Sequence, residues 1–324
     1  MKKAPFVVIL SFIFCLALIS LASGAEFPTK LVNLLIGYAA GGSTDLSARA
    51  LAAEASKILN QPVICNNQVG AAGTLVLGRV KGEKTDGYTI YNAPTANFCR
   101  IPHLQAVPYD PLKDFSFIMQ YGLYQYGILV RSDAPWKTLE ELIDYAKKNP
   151  NKIKYGTSGL GTGQHLAMEY LAMKLGIKWD HVPFPGGAQV VAALLGGHVQ
   201  AISQTTEWKE QALAGKFRLL AVPTPQRLKA FPEVPTLIEK GYSFAVHSTL
   251  AFMGPAGMPA AAVDKLDKAF AEAMKSKVFL DVMDKFDMPP AYLGSEALTK
   301  FVQKDYQESG ELIKSLGIGI YKKQ

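Results

Sequence analysis

The sequence predicts an α/β chain of two lobes, each a mostly parallel sheet flanked by helices, on three observations. Asn33 to Leu51 (NLLIGYAAGGSTDLSARAL) passes from an apolar stretch through a Gly-rich loop into an Ala-rich helical pattern. Ile153 to Leu171 (IKYGTSGLGTGQHLAMEYL) repeats the design, with Gly159, Gly161 and Gly163 in the loop and Leu166, Tyr170 and Met173 at helical spacing behind it. Around both, short apolar runs alternate with helical ones, the pattern of a doubly wound sheet whose ligand edge lies at the strand C-termini.

Each part of the two turns has a physical reason. Asn33 to Ile36 is too short and too apolar for a surface helix, so it reads as a buried parallel strand. Gly41 and Gly42 permit backbone angles and approaches that a side chain forbids. Ser43, Thr44 and Asp45 bring N-cap chemistry, and Leu46, Ala50 and Ala53 carry the helix on. The unpaired N–H groups at such a helix start make an anion site. Neither turn carries a lysine, and two of them facing each other read as a clamp on an anion; either alone also fits an ordinary strand-to-helix connection.

Taken in order, the chain begins with Lys2 and Lys3, an apolar run from Phe6 to Leu21, and Ser23 and Ala25 at the positions a signal peptidase reads. Residues 1–25 are therefore expected to be a secretory signal, too short for a membrane span, leaving a soluble exported protein. The formal charge is +7. Cleavage removes two lysines and no acid, and the mild surplus that remains, without a basic run, argues against a nucleic-acid partner. Cys65 and Cys99 read as two packed thiols rather than a disulfide, and no Cys or His pair has metal-ligand spacing, so neither cofactor nor metal is expected.

Strands are expected at Pro62–Cys65 and Gly87–Asn92, then a Pro-punctuated linker from Pro102 to Phe115 and a further strand at Ser116–Tyr121. A second α/β unit opens at Tyr126–Val130. Thr138 and Glu141 form a capping box ahead of Leu139, Leu142, Ile143 and Ala146. Further strands fall at Trp179–Pro183, after the Gly196–Gly197 helix stop, and at Phe217–Val222. From Gly241 the chain reads as extended through Phe244 to Met253. Closing helices follow Pro259, with the stripe Val263, Leu266, Phe270 and Met274, and over Ser295–Ser315.

These pieces resemble one family in their order and spacing. They are AAGGSTD at Ala39–Asp45, PVICNNQVGAAG at Pro62–Gly73, DGYTI at Asp86–Ile90, VPYDPLKDF at Val107–Phe115, YGTSGLGTGQHLA at Tyr155–Ala167, HVPFPGG at His181–Gly187, LLGGHVQ at Leu194–Gln200, LAVPTPQR at Leu220–Arg227, and GPAGMP at Gly254–Pro259. Across nearly the whole exported chain the sequence resembles the periplasmic solute-binding proteins of tripartite tricarboxylate transporters, the TctC or Bug family. The resemblance implies a type II periplasmic-binding-protein fold, with one lobe over about 27–125 plus 249–324 and the other over about 126–248. It implies a small mono-, di- or tricarboxylate ligand, a periplasmic location, and integral membrane transporter subunits, large and small, as partners of a monomeric chain.

By position, the ligand contacts so implied are Tyr38, Ala39, Gly41, Gly42, Ser43 and Thr44 on the first turn and Ser158, Gly161, Thr162 and His165 on the second. Asn97, Gln204, Thr205 and Ser248 complete the set. His165 is read either as a donor to ligand or bridging water or as the holder of its own loop; His181 and His198 are assigned to structure or surface. No dedicated arginine is needed. A hydrogen bond to a charged group contributes about 1.5–3 kcal/mol, so four or five approach the ~8 kcal/mol of a micromolar complex.

The chain departs from the family pattern at Gln204 (often Asp), Thr249 (often Trp), Cys99 and Arg100, which implies a roomier and less acidic pocket. Arg100 reads either as a partner for a second ligand carboxylate or, in preference, as a surface residue. Catalysis is not expected: Ser158 with His165 would suggest a hydrolase, but a nucleophile elbow needs G-x-S-x-G and Leu160 stands where its closing Gly belongs; the turn also lacks G-x-G-x-x-G because of Gln164, and no Walker lysine follows either loop. A secreted carboxylate-handling enzyme and a ligand-presenting protein for a membrane sensor are the alternatives.

Overall fold

The computed structural model describes residues 26–315, 317 and 319–321; the expected signal segment lies outside them. Strand β1 (Val32–Ile36) leads into helix α1 (Ser43–Leu59), then β2 (Val63–Asn67), β3 (Thr89–Pro94), β4 (Phe115–Leu123) and β5 (Tyr126–Arg131). The second unit continues with α2 (Leu139–Lys148), β6 (Lys154–Thr157), α3 (Gly163–Leu175), β7 (Asp180–Pro183), α4 (Gly187–Leu195), β8 (Ala201–Thr205) and β9 (Phe217–Ala221). The chain then returns through β10 (Thr249–Pro255), α5 (Ala260–Ala273), α6 (Lys277–Lys285), β11 (Pro290–Gly294) and α7 (Ser295–Ser315).

Two sheets result, one of six strands in the order β11-β4-β10-β3-β1-β2 and one of five in the order β7-β6-β8-β5-β9. Both are mixed, which corrects the mostly parallel expectation. The β1–β2, β1–β3, β6–β7 and β6–β8 pairs are parallel, as helical crossovers demand. The strands that carry the chain between sheets run against their neighbours: β10 is antiparallel to both β3 and β4, and β5 to both β8 and β9.

The strand pattern follows burial. Val32, Leu34 and Ile36 are fully buried on β1, the inner strand between β2 and β3. Helix α1 lays Ala48, Leu51, Ala52 and Ala55 into the same core, where small residues permit close helix packing. Beyond it Phe252 meets Phe270 at a ring separation of 4.5 Å and Tyr121 at 4.8 Å. The capping box is present in part: Thr138 Oγ1 accepts from Glu141 N at 3.2 Å, and the Glu141 carboxylate accepts from Lys137 N rather than from Thr138 N.

Several expectations shift on inspection. Cys65 lies on the sheet's edge strand and is only partly buried, Cys99 is buried, and both are free thiols. Burial pushes the Cys65 thiol up to about 11. The regular strand after Gly241 begins only at Thr249. The turn after β2 holds Ala71 and Ala72 at φ 46° and 53°, left-handed values that side chains disfavour.

Two crossings join the sheets, at Tyr124–Gln125 and through the segment ending at Ser248. They are bonded to each other, Tyr124 N donating to Ser248 O at 2.9 Å. Next to them Thr95 N donates to Thr249 O at 2.9 Å and Thr249 N to Thr95 Oγ1 at 3.2 Å.

Candidate ligand site between the sheets

A cavity of about 30 Å³ lies between the two sheets, walled by residues of both, among them Tyr38, Gly42, Thr44, Ser158, Thr162 and Thr205. That is room for about two waters. The sheets approach closely around it. Ala39 N donates to Pro185 O at 3.3 Å, and Lys209 Nζ donates to Asp284 O at 2.6 Å on the flank. A methyl at Gly159 would lie 2.8 Å from the Ala72 side chain, and one at Gly161 2.9 Å from that of Ile101. The structure is a closed one.

The first turn is built around Asp45. Its buried carboxylate accepts from Gly41 N at 3.0 Å, Arg49 Nε at 2.8 Å and Asn67 Nδ2 at 2.8 Å, fixing the loop ahead of α1. Gly41, at φ 86°, supplies the left-handed residue and is exposed. Gly42 has an ordinary φ of −81° and caps α1 by backbone alone. Ala39, Gly42, Thr44 and Tyr38 line the cavity; Ser43 and Gly41 do not.

What occupies the start of α1 is a carboxylate of the chain itself. Glu207 reaches across from the turn after β8, where its Oε1 accepts from Ser43 N at 3.0 Å and Ser43 Oγ at 2.6 Å. Its Oε2 accepts from Thr205 Oγ1 at 2.6 Å and Gln204 Nε2 at 3.2 Å. Glu207 is the only acidic or basic side chain lining the cavity among the described residues. The pocket, expected to be less acidic, therefore does carry a carboxylate of its own. Gln204 removes one charge and holds another in place, while Thr249 is a hinge residue outside the wall.

The second turn is braced from within. Thr162 caps α3, accepting from His165 N at 3.4 Å and donating to Gly159 O at 2.8 Å. His165 Nδ1 accepts from Gly161 N at 3.2 Å, so the ring holds its own loop and does not line the cavity. Burial pulls His165 down to about 4 and His181, which stacks on Tyr155 and bonds Thr157, also to about 4. Both are neutral near pH 7. Ser158 Oγ donates to Gln204 Oε1 at 2.9 Å, and Gly163 and Gln164, the first residues of α3, line the cavity.

Two of the expected contacts also act as supports. Tyr38 Oη and Asn97 Nδ2 both donate to Ala72 O, at 2.8 and 2.9 Å, pinning the left-handed turn that abuts Gly159. Asn97 itself does not line the cavity. Ser248 does; its Oγ is buried and has no protein partner. Arg100 is no surface residue: it is 6% exposed, its guanidinium donating to His247 O at 2.6 Å and lying 3.9 Å from Asp305.

Sequence reasoning missed Glu207, the Tyr124 and Tyr126 walls, and a third helix start. Gly186 and Gly187 line the cavity at the N-terminus of α4. The PGG of HVPFPGG, a β-to-α turn like the other two, was the signal for the last.

Comparison with known proteins fits this geometry. A family model described as the tripartite tricarboxylate transporter family receptor, TctC, matches residues 47–318. The chain belongs to the TctC family. Among TctC-like relatives, a UPF0065 protein in the gbd 5′ region of Cupriavidus necator is 39% identical over 92% of this chain and 90% of its own length. The solved periplasmic binding protein BugD superposes with a TM-score of 0.85 at 32% identity, covering 90% of this chain and 99% of that one. An R. palustris protein solved with adipate gives 0.84 at 26% identity over 91% and 99% of the two chains. MatC from Rhodopseudomonas palustris, solved with bound malate, gives 0.82 at 25% over 89% and 100%. The fold is therefore that of the two-lobed periplasmic binding proteins, and the family is one of solute-binding proteins.

Proposed function

We propose that this chain captures a small carboxylate between its lobes and delivers it to the membrane subunits of a tripartite tricarboxylate-type transporter. The observation that carries the reading is the convergence of three helix starts, those of α1, α3 and α4, on one cavity between the sheets. Helix N-termini present free N–H groups and about half a positive charge each, which suits an anion without any cationic side chain. The adipate and malate seen in the two R. palustris relatives are small carboxylates. We divide the protein into a signal segment at 1–25, one lobe over 27–125 plus 249–324, and a second over 126–248, working in the periplasm as a monomer. Ser158 donates to the Gln204 amide oxygen rather than to a base, which supports binding over a serine-nucleophile reading.

The test is a thermal-shift screen of residues 26–324, stripped of carried-over ligand, against carboxylates with sugars as controls. A ligand at 100 times its dissociation constant adds about 2.7 kcal/mol, worth several degrees in a chain of this size. Shifts confined to carboxylates support the reading; a shift with a sugar and none with any carboxylate ends it.

A further inference from the structure

Glu207 stands where the family resemblance puts a ligand carboxylate. Both of its oxygens are bonded, one to Ser43 of the opposite lobe and one to Thr205 and Gln204 of its own. The fit is built: a methyl at Gly187 would lie 2.4 Å from the Glu207 carboxyl carbon, so glycine leaves the space the carboxylate fills. No cationic side chain lines the cavity among the described residues to offset this charge. The α1 start is therefore taken. At the α3 start Thr162 takes only the His165 N–H, and Gly163 and Gln164 line the cavity, as does Ser248.

Charge then limits what fits. Three helix starts of about half an elementary charge each come near to balancing Glu207 and one ligand carboxylate. They fall well short of balancing Glu207 and two. A group placed beside Glu207 is favoured when it donates a hydrogen bond or carries positive charge, because the carboxylate only accepts.

We propose that Glu207 is the specificity-determining residue of this site: it fills the first anion turn and selects a ligand with one carboxylate, held at the start of α3, and a hydroxyl or ammonium group facing Glu207. The inference rests on the carboxylate-binding reading and narrows it, setting this chain apart from binders of two or three carboxylates.

The test is calorimetric titration of the stripped wild-type protein and of Glu207→Gln, an isosteric change, with two matched series. In each series a hydrogen, a hydroxyl, an amino group or a second carboxylate stands beside or across from one carboxylate: butyrate, 2-hydroxybutyrate, 2-aminobutyrate and succinate, and benzoate with its 2-hydroxy, 2-amino and 2-carboxy forms. The wild type is expected to bind a hydroxyl or amino member at least about tenfold more tightly than its dicarboxylate counterpart. Glu207→Gln is expected to narrow or invert that ratio by about tenfold, through weaker donor binding and stronger dicarboxylate binding. Glu207→Ala, checked for an intact fold by circular dichroism, should follow Glu207→Gln. Dicarboxylates preferred by the wild type, or a ranking unchanged by both substitutions, overturns the inference and leaves the carboxylate reading standing. No binding of any member by wild type or variants removes the inference together with that reading.

Discussion

The two Gly-rich turns look alike in sequence and differ in how their helix starts are completed. The first loop is braced by Asp45 of its own lobe, but its helix start is completed by Glu207 from the far lobe, 164 residues away in the chain. The second is closed by its own residues, Thr162 capping α3 and His165 taking the Gly161 N–H. A turn braced from within keeps its shape when the lobes part, whereas a turn capped from across the cleft loses its cap. The lesson is that similar loops on two lobes need not be equivalent halves of a clamp; here one is a preformed cradle and the other is a socket already filled.

Glycine substitutions should separate the turns most strongly. Gly161→Val puts a branched side chain at φ 75° and 2.9 Å from Ile101 of the other lobe, so closure is blocked. The expected result is a loss of ligand affinity above about 100-fold and a more open scattering profile at saturating ligand. A Gly161→Val protein that closes and binds normally would show the second turn to be no closure surface.

A pH titration addresses the same turn. His165 and His181 are both held at about 4 by burial, below the ordinary value of 6.5. The unfolded chain therefore takes up protons first, and the stability these groups confer, complete above about pH 6.5, drains away as pH falls towards 4 and then levels. For His165 the loss is on the order of 3 kcal/mol. Urea midpoints between pH 7.5 and 4 should show this slope, and His165→Gln should flatten it; an unchanged slope in the variant would place the acid sensitivity elsewhere.

On the first turn, Ser43→Ala deletes one charge-assisted bond to Glu207 and leaves the backbone N–H bond. A loss of about 1.5 kcal/mol is expected, read as a lower denaturant midpoint of the unliganded protein, and no change would mean that the Glu207 bridge adds nothing to closure. Gly42→Ala should do least of all. Its φ is ordinary and the nearest atom to a new methyl is Glu207 Oε1 at 3.7 Å, so affinity should stay within about threefold on calorimetry.

Much of the architecture was legible because it is local. The strand–turn–helix units, the helix over Ser295–Ser315 and the N-cap at Thr138 depend on residues a few positions apart. The mixed sheets were not legible, since strand direction at β4, β5 and β10 is set by where the chain crosses between lobes. At the site, the cavity-lining residues Tyr38, Ala39, Gly42, Thr44, Ser158, Thr162, Thr205 and Ser248 were all among those expected. Glu207 was invisible for a physical reason: in QTTEW it reads as a solvated acid, and only the fold brings it to Ser43. Arg100 misled in the same way, because its partner, a backbone carbonyl at His247, is 147 residues distant.

The bond between the two crossings has a mechanical consequence. Two independent strings would let the lobes twist, shear and swing. Tied to each other at Tyr124 and Ser248, and continued into the β4–β10 pairing, they form one two-stranded ribbon rather than two separate links. Ser248 belongs to both parts: it lines the cavity and its carbonyl accepts the bond that ties the crossings together.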